Sequence, residues 1–219
     1  NLAAGLAQQE KKILVIDLDP QGNATTGLGL SNLENSSNTI YGVLNGTKSI
    51  PEVIRKTDFE NLDIITSNVD LSGLEVEIAS DNERAFILKT KLAAYLHDSR
   101  GSYDYILIDC PPSLSLLTVM ALVSSHSLVV PLQTEFFALE GLTQLMKTIE
   151  RIKVNLNPEL KIRGILLTMY DKRNKLSAQV EKEARDYFKE KVYLTIIPRN
   201  VRLSEAPSHG MPVLIYDKS

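Results

Sequence analysis

Two aspartates, Asp17 and Asp19, follow a short apolar run and have the spacing of a shared chemical site. The run at residues 13–16 reads Ile-Leu-Val-Ile, which predicts a strand buried on both faces, as in a parallel sheet. Residues i and i+2 of a strand point the same way, so both carboxylates can face one site. Pro-Gln-Gly-Asn at 20–23 then forms a turn. Because open α/β sheets bind ligands beyond the carboxyl ends of their strands, the pattern predicts a metal–phosphate site; an aspartate-rich turn that only solvates the strand end is the alternative.

A third acid, Asp109, ends a second run of the same kind. Residues 103–109 read Tyr-Asp-Tyr-Ile-Leu-Ile-Asp, and the following Cys-Pro-Pro stops the strand. An acid so placed in P-loop nucleotidases holds Mg²⁺ directly or through water. A capping or turn aspartate is the alternative, but the pairing with Asp17 and Asp19 at the end of a similar strand favours the metal site.

The composition is that of a globular protein, and it excludes several classes of function. Of 219 residues, 43% are hydrophobic and 23% are charged. Neither an apolar run near the ~18 residues of a membrane span nor a signal-peptide pattern is present. The single cysteine, Cys110, cannot form an internal disulfide, which fits a reducing cytosol. With three histidines and no Cys/His cluster, a zinc site is not expected.

Charge is unevenly spread along the chain. Residues 161–219 hold 12 Lys/Arg and 7 Asp/Glu, whereas residues 1–160 hold 12 and 20. A basic face on an acidic body is typical of some nucleic-acid binders. A solvated surface without a partner is the alternative.

Strands alternate with helices along the chain, which predicts a three-layer, doubly wound, mostly parallel sheet in a single domain over residues 1–219. Strands are predicted at 12–18, 62–66, 103–109, 127–132, 161–169 and 193–197. Helices are predicted at 2–9, 71–79, 83–97, 114–124, 138–155 and 175–190, with two short helical pieces within 39–56.

Five stretches, in the same order along the chain, resemble one protein family. They are residues 16–25 (Ile-Asp-Leu-Asp-Pro-Gln-Gly-Asn-Ala-Thr), 104–113, 135–142, 166–171 and 197–210. Together they are similar to the ParA/Soj chromosome-partitioning ATPases, deviant Walker-A proteins related to MinD. The resemblance covers nearly the whole chain, and it implies a P-loop NTPase fold.

The resemblance implies slow hydrolysis of ATP with Mg²⁺. Asp19 would orient and activate the attacking water, and Asp17 would lie beside the Mg²⁺ and the switch region, with a catalytic and a metal-binding role. Asp109 would be the Walker-B acid that holds the metal. Gln21 and Gly22 would belong to the loop that senses the γ-phosphate.

The resemblance also implies partners. An ATP-bound homodimer would coat DNA without sequence preference, and a ParB-like centromere-binding protein would stimulate hydrolysis and release it. The expected location is cytoplasmic and nucleoid-associated, without stable membrane association.

An adenine pocket is implied at the ends of two later strands. Thr168 and Met169 end one strand, and Pro198, Arg199 and Val201 follow another. Their backbone groups and apolar edges can hold a flat base. Two ordinary strand-end loops are the alternative.

Two loop clusters in the basic segment are candidates for DNA contacts, which need accessible Lys or Arg but no sequence code. Lys172, Arg173 and Lys175 form one cluster, and Arg199 and Arg202 form the other. Arg173 and Arg202 match positions where the family carries DNA-contacting arginines. Solvated loop charge is the alternative, and Met211 stands where relatives often have lysine.

The chain departs from the family at both ends. The phosphate loop Lys-Gly-Gly-Val-Gly-Lys-Thr is expected just upstream of Asn1, and a further helix is expected after Tyr216-Asp217. Because loop amides and lysines hold the phosphates, the sequence predicts a fragment that does not bind ATP tightly, taken from an intact ATPase.

Two other classes of protein compete with this interpretation. A MinD-like membrane-associated ATPase that positions cell division is the alternative function, and it needs a C-terminal amphipathic helix. A nitrogenase-reductase-like protein needs several cluster-binding cysteines, which one cysteine cannot supply.

Overall fold

The computed structural model describes residues 1–30, 36–99 and 103–217. These residues form two compact units. The first unit holds residues 1–124 together with the C-terminal stretch from Arg202, and the second holds residues 125–201. The single domain over residues 1–219 stays a prediction.

The described strands pair in two hydrogen-bonded sheets. The first unit has the order β2-β3-β1-β4 and the second has β5-β6-β7. All pairs are parallel except β2–β3. The strands are β1 (Ile13–Asp17), β2 (Ile54–Lys56), β3 (Leu62–Ile65), β4 (Tyr105–Asp109), β5 (Ser127–Gln133), β6 (Lys161–Tyr170) and β7 (Val192–Pro198).

Helices separate the described strands except between β2 and β3, and several short 3₁₀ turns supplement them. The α-helices are α1 (Leu2–Ala7), α2 (Asn23–Gly27), α3 (Ile40–Leu44), α4 (Ile50–Val53), α5 (Leu74–Glu77), α6 (Ile87–Ser99), α7 (Leu116–Ser124), α8 (Ala138–Asn155), α9 (Lys175–Phe188), α10 (Val201–Glu205) and α11 (Val213–Tyr216).

Strand β1 is the centre of the first unit, with β3 on one side and β4 on the other. All five of its residues are buried. Leu14 and Ile16 pack in one apolar cluster, whereas Ile13 and Val15 pack in another, as the alternation of side chains along a strand requires. Both faces of the sheet are therefore covered, which explains the unbroken apolar run in the sequence.

The second unit is built on β6, the middle strand of its sheet. Its core includes Ile165 and Leu167 of β6, with Leu142 of α8 and Ala184 of α9 packed in the same cluster. Thr134, which follows β5, is buried and donates its hydroxyl to Ser177 Oγ of α9 at 3.0 Å. Hydrogen bonds and apolar packing thus fix α9 beside this sheet.

The predicted fold class, mostly parallel α/β, is confirmed. The sequence predicts one sheet, whereas hydrogen bonds divide the described strands into two; the alternation of strands and helices does not reveal where a ladder is interrupted. Strand β2 was not predicted, because three residues after a short helix are too few for a period to show. The 71–79 helix is a 3₁₀ turn at Val69–Gly73 followed by the single turn of α5.

Candidate nucleotide-hydrolysis site

Asp17 is the last residue of β1 and is fully buried. Its Oδ1 accepts the N–H of Asp19 at 3.2 Å, and its Oδ2 accepts both the N–H and the hydroxyl of Thr25 at 2.8 and 2.7 Å. Burial raises the pKa of Asp17, and the bonds from Thr25 act in the opposite direction. Both carboxylate oxygens are thus engaged within the protein.

Asp17 caps the N-terminus of α2 through its hydrogen bonds with Thr25, because the N-cap residue of this helix has no capping side chain. Gly22 occupies the N-cap position of α2, and its φ of 63° is the left-handed conformation that favours glycine. A Cβ at Gly22 would also lie 3.2 Å from the carbonyl oxygen of Ser67. Because glycine has no capping side chain, the carboxylate of Asp17 satisfies the Thr25 N–H in the first turn.

Asp19 lies in the loop between β1 and α2 and is 9% exposed. One of its carboxylate oxygens accepts the N–H of Gln21 at 2.9 Å, the local bond by which aspartate shapes a turn. Its carbonyl accepts the N–H of Gly22 at 2.9 Å. Gln21 itself is exposed. The loop predicted to sense a phosphate therefore folds back on Asp19.

Asp109 ends β4 opposite Asp17, its partner in the parallel register. The main chain joins the two strand ends further, since Leu18 donates its N–H to the carbonyl of Asp109 at 2.8 Å. Asp109 is exposed to solvent. Desolvation by surrounding protein, together with the charges of Asp17 and Asp19, nevertheless raises the pKa of Asp109 to about 6. The structure thus brings all three predicted acids to one end of the sheet.

The acids do not form a protein-only metal centre. No group of three or more His, Cys, Asp or Glu residues suited to hold a metal ion occurs within residues 1–30, 36–99 and 103–217.

Burial, aided by the nearby charge of Asp109, raises the pKa of the Cys110 thiol to about 12, so this cysteine stays protonated at neutral pH.

The residues predicted for the adenine pocket lie at the ends of β6 and β7. Tyr170 and Pro198 are register partners, and Arg199 donates its N–H to the carbonyl of Tyr170 at 2.9 Å. Met169 has a φ of 53°, a left-handed conformation that is uncommon outside glycine. The carbonyl of Thr168 accepts the N–H of Thr134 at 3.3 Å. The structure therefore brings the two strand ends together, while Val201 begins α10 and is exposed.

The first basic cluster is a loop of the second unit. The guanidinium of Arg173 makes two hydrogen bonds to Asp171, from Nε to Oδ1 at 3.0 Å and from Nη2 to Oδ2 at 2.9 Å. These bonds hold the pKa of Asp171 at about 2, although the Arg173 side chain is 90% exposed. Lys172 and Lys175 are exposed beside it.

The second basic cluster includes Arg202, in the first unit. Its Nη1 donates to Glu205 Oε2 at 2.9 Å, and its Nε lies 3.8 Å from Asp217 Oδ2. Tyr216 donates its hydroxyl to the same Glu205 oxygen at 3.3 Å. Both predicted DNA-contacting arginines therefore carry a carboxylate partner while more than half of each side chain is exposed.

Two residues of this site, Thr25 and Ser67, were not among those predicted from the sequence. Thr25 lies inside the 16–25 stretch. Its place in the first turn of the helix that follows Asp17 and Asp19 was the sequence signal that could have identified it. Ser67 donates its N–H to the Thr25 hydroxyl at 3.0 Å, through a main-chain group that no side-chain pattern marks.

Comparison with known proteins identifies the family. The profile of the AAA domain family matches residues 1–162. The chromosome partitioning protein ParA of Caulobacter vibrioides is 51% identical over 217 residues, which are 99% of this chain and 80% of that protein. The chromosome-partitioning ATPase Soj of Treponema pallidum is 48% identical over 217 residues, 99% of this chain and 83% of that protein. The chain belongs to the ParA/Soj family of chromosome-partitioning ATPases.

Solved structures of similar proteins support the fold that this family implies. Cobyrinic acid a,c-diamide synthase from Mycobacterium smegmatis, with bound ADP and magnesium, matches with a TM-score of 0.82 and 32% identity over 98% of this chain and 82% of that one. The septum site-determining protein MinD of Pyrococcus horikoshii, complexed with Mg-ADP, matches with a TM-score of 0.79 and 25% identity over 100% and 81%. The P-loop NTPase fold expected of ParA/Soj proteins is therefore confirmed.

Proposed function

We propose that this protein is an ATP-switched DNA-partitioning enzyme whose hydrolytic groups lie at the carboxyl ends of β1 and β4. The observation that carries the proposal is the register pairing of Asp17 with Asp109, which brings two acids and the Asp19 loop to one end of a parallel sheet. Membership in a family of chromosome-partitioning ATPases supports it.

Asp19 is the proposed catalytic group. Its carboxylate accepts a proton from a water whose oxygen forms a bond to the γ-phosphorus of ATP, while the bond from that phosphorus to the bridging oxygen breaks. The products are ADP and inorganic phosphate. Gln21 and Gly22 would sense the γ-phosphate, because their N–H groups are hydrogen-bonded to Asp19 within the turn. Water positioning of this kind typically contributes ~10²–10⁴-fold in rate.

Asp109 is the proposed magnesium-side acid. Mg²⁺ prefers oxygen ligands and is commonly held by one or two carboxylates plus substrate phosphates, which fits a site where the described residues offer no group of three ligands. When bound, Mg²⁺ would offset phosphate charge. The exposure of Asp109 leaves its carboxylate accessible, whereas the bonds at Asp17 favour a role in holding the Asp19 loop beside the metal.

The ends of β6 and β7 are the proposed adenine-binding loops. Thr168 and Met169 lie on one side, and Pro198, Arg199 and Val201 on the other. The main-chain bond from Arg199 to Tyr170 supports a fixed spacing between the two ends. A fixed pair of loops suits a flat, rigid ligand.

Each basic loop is a proposed DNA-contacting element of its own unit. Arg173, Lys172 and Lys175 on one loop and Arg202 on the other would contact backbone phosphates in an ATP-bound homodimer. Such contacts need exposed charge and give no sequence preference. A ParB-like partner would stimulate hydrolysis, and the protein would be cytoplasmic and nucleoid-associated.

The MinD-like alternative is less well supported. Identity to the solved MinD is 25%, against 51% to the Caulobacter protein ParA. None of the described helices is long and apolar enough to cross a bilayer, but this does not separate the two functions, because a MinD-like protein needs an amphipathic helix at the membrane surface and not a spanning one.

The test is hydrolysis by the full-length protein. Wild type is expected to turn over ATP slowly, and Asp19→Ala to lose ~10²–10⁴-fold in kcat while nucleotide affinity changes little. Asp98→Ala, at an exposed position of α6, is the matched control and should behave as wild type. Wild-type protein that neither binds nor hydrolyses ATP would contradict the proposal.

A further inference from the structure

One buried hydroxyl connects three elements of the first unit. Thr25 Oγ1 donates to Asp17 Oδ2 at 2.7 Å and accepts the N–H of Ser67 at 3.0 Å. Thr25 and Ser67 are each 3% exposed. Since Asp17 ends β1 and Ser67 follows β3, this hydroxyl holds the start of α2 against both strand ends.

The segment after β3 holds the neighbouring chain at other points too. Its Ser67 carbonyl packs against Gly22, where a Cβ would come within 3.2 Å. Its Thr66 carbonyl accepts the N–H of Ile40, the first residue of α3, at 2.9 Å. The loop that carries Asp19 therefore rests on a segment that also anchors the next helix.

Main-chain bonds, and not its own side chains, hold this segment. The hydroxyls of Thr66 and Ser67 are buried and have no hydrogen-bond partner among the described residues. Each such group disfavours the folded arrangement unless other contacts outweigh it. The bond from the Ser67 N–H to Thr25 is one of the contacts that fix the segment, so loss of the Thr25 hydroxyl would loosen both the segment and the Asp19 loop.

We propose that Thr25 is a positioning residue for ATP hydrolysis. It acts through Asp17 and Ser67 on the placement of the Asp19 carboxylate, and it touches no reacting atom. The inference rests on the proposed function, since it concerns the same reaction. Misplacement of a catalytic group by ~1 Å can cost ~10²-fold in rate, so a small shift of this loop would be visible in kcat.

The experiment measures kcat and nucleotide affinity in the full-length protein. Thr25→Val removes the hydroxyl but fills the same space, and it is expected to lower kcat by about 10–100-fold while affinity stays within about threefold. Thr25→Ser keeps the hydroxyl, so its kcat should lie within about threefold of the wild-type value. Thr26→Val makes the same chemical change at the exposed neighbour in α2 and is the matched control.

A double-mutant cycle separates positioning from a merely structural role. If Thr25 acts through Asp19, Thr25→Val should cost little further rate in an Asp19→Ala background, because the group that it positions is already gone. An equal loss in both backgrounds would overturn the inference. So would Thr25→Val with wild-type kcat.

A second variant covers the case in which Thr25→Val fails to fold. Thr25→Cys fills similar space with a weaker donor and acceptor, and its kcat should lie between those of wild type and Asp19→Ala. Wild-type kcat in Thr25→Cys at full folding would count against the inference. Failure of the proposed function is distinguishable, because wild type itself would then show no turnover.

Discussion

The acidic strand ends and the basic loops use charge in opposite ways. Asp17 is fully buried, and both of its carboxylate oxygens accept hydrogen bonds from nearby chain. Arg173 is 90% exposed and has its guanidinium in a two-bond pair with a neighbour two residues away. The first arrangement fixes a loop, and the second leaves charge at the surface.

The difference follows from what each proposed ligand needs. Hydrolysis requires a catalytic group that is held in place to within a fraction of an ångström. A buried carboxylate whose two oxygens both accept hydrogen bonds can hold the catalytic loop in this way. Binding of any DNA sequence requires only positive charge that phosphates can reach. Within the acidic end the same contrast recurs, since Asp109 is exposed where its register partner Asp17 is buried.

The largest expected effect is a difference in the free energy of unfolding between the Asp17→Ala and Asp109→Ala variants. Asp17→Ala would leave the N–H of Asp19 and two donors of Thr25 without their acceptor, at ~1–3 kcal/mol for each buried unpaired group. We expect a loss of about 3 kcal/mol or more in the free energy of unfolding, read from urea titration. Asp109→Ala should stay within about 1 kcal/mol of wild type. Equal losses would show that the contrast is wrong.

The next effect tests the basic loops in the ATP-bound state. Arg173→Glu or Arg202→Glu should weaken binding to all DNA sequences alike. For every DNA phosphate that the variant no longer neutralises, the slope of log K against log salt should flatten by about 0.9. A dimer would present each loop twice, so one substitution would affect two phosphates. Salt titrations on two unrelated duplexes measure this.

Lys89→Glu in α6 is the control for charge alone, since it makes an equal change at an exposed position. It should leave the slope close to that of wild type. If both arginine variants bind DNA as wild type does, the excess of positive charge in residues 161–219 is a solvated surface, and the MinD-like alternative gains support.

The smallest effect is the pH dependence of stability contributed by Asp109. Its pKa rises from an ordinary 3.8 to about 6 on folding, so the folded state binds this proton more tightly than the unfolded state. The contribution is present below pH ~4 and is lost as pH rises through 6. Solvent screening at this exposed side chain should keep it under about 1 kcal/mol. Asp109→Asn should remove it, and unfolding curves between pH 4 and 7 that match wild type would contradict the assignment.

Much of the acidic end could be predicted from sequence. The apolar runs before Asp17 and Asp109 predicted two buried strands, because period and apolar content are local properties. Strand β1 is buried throughout, whereas β4 is half-buried at its centre and exposed at both ends, so the prediction of burial is wrong for β4. That the two strands are neighbours, with Asp17 and Asp109 in register, is seen only in the structure.

The rest depended on contacts between distant residues. The bridge from Thr25 to Ser67 joins residues 42 positions apart through a main-chain N–H, which carries no residue signature. The left-handed backbone at Met169 lies where the pairing of β6 with β7 shifts register, between Leu167 and Tyr170, and the residue type gives no signal of it. Asp171 and Glu205, which accept hydrogen bonds from Arg173 and Arg202, lie nearby in sequence, but only the structure shows these side chains paired.

The central claim is that the acidic strand ends govern hydrolysis and the basic loops govern DNA binding. The most direct test measures both activities in Asp19→Ala and in Arg173→Glu, side by side in the full-length protein. Asp19→Ala should lose ATP turnover but retain ATP-dependent DNA binding, and Arg173→Glu should lose DNA affinity but keep its DNA-independent turnover. Loss of both activities in both variants would contradict the account.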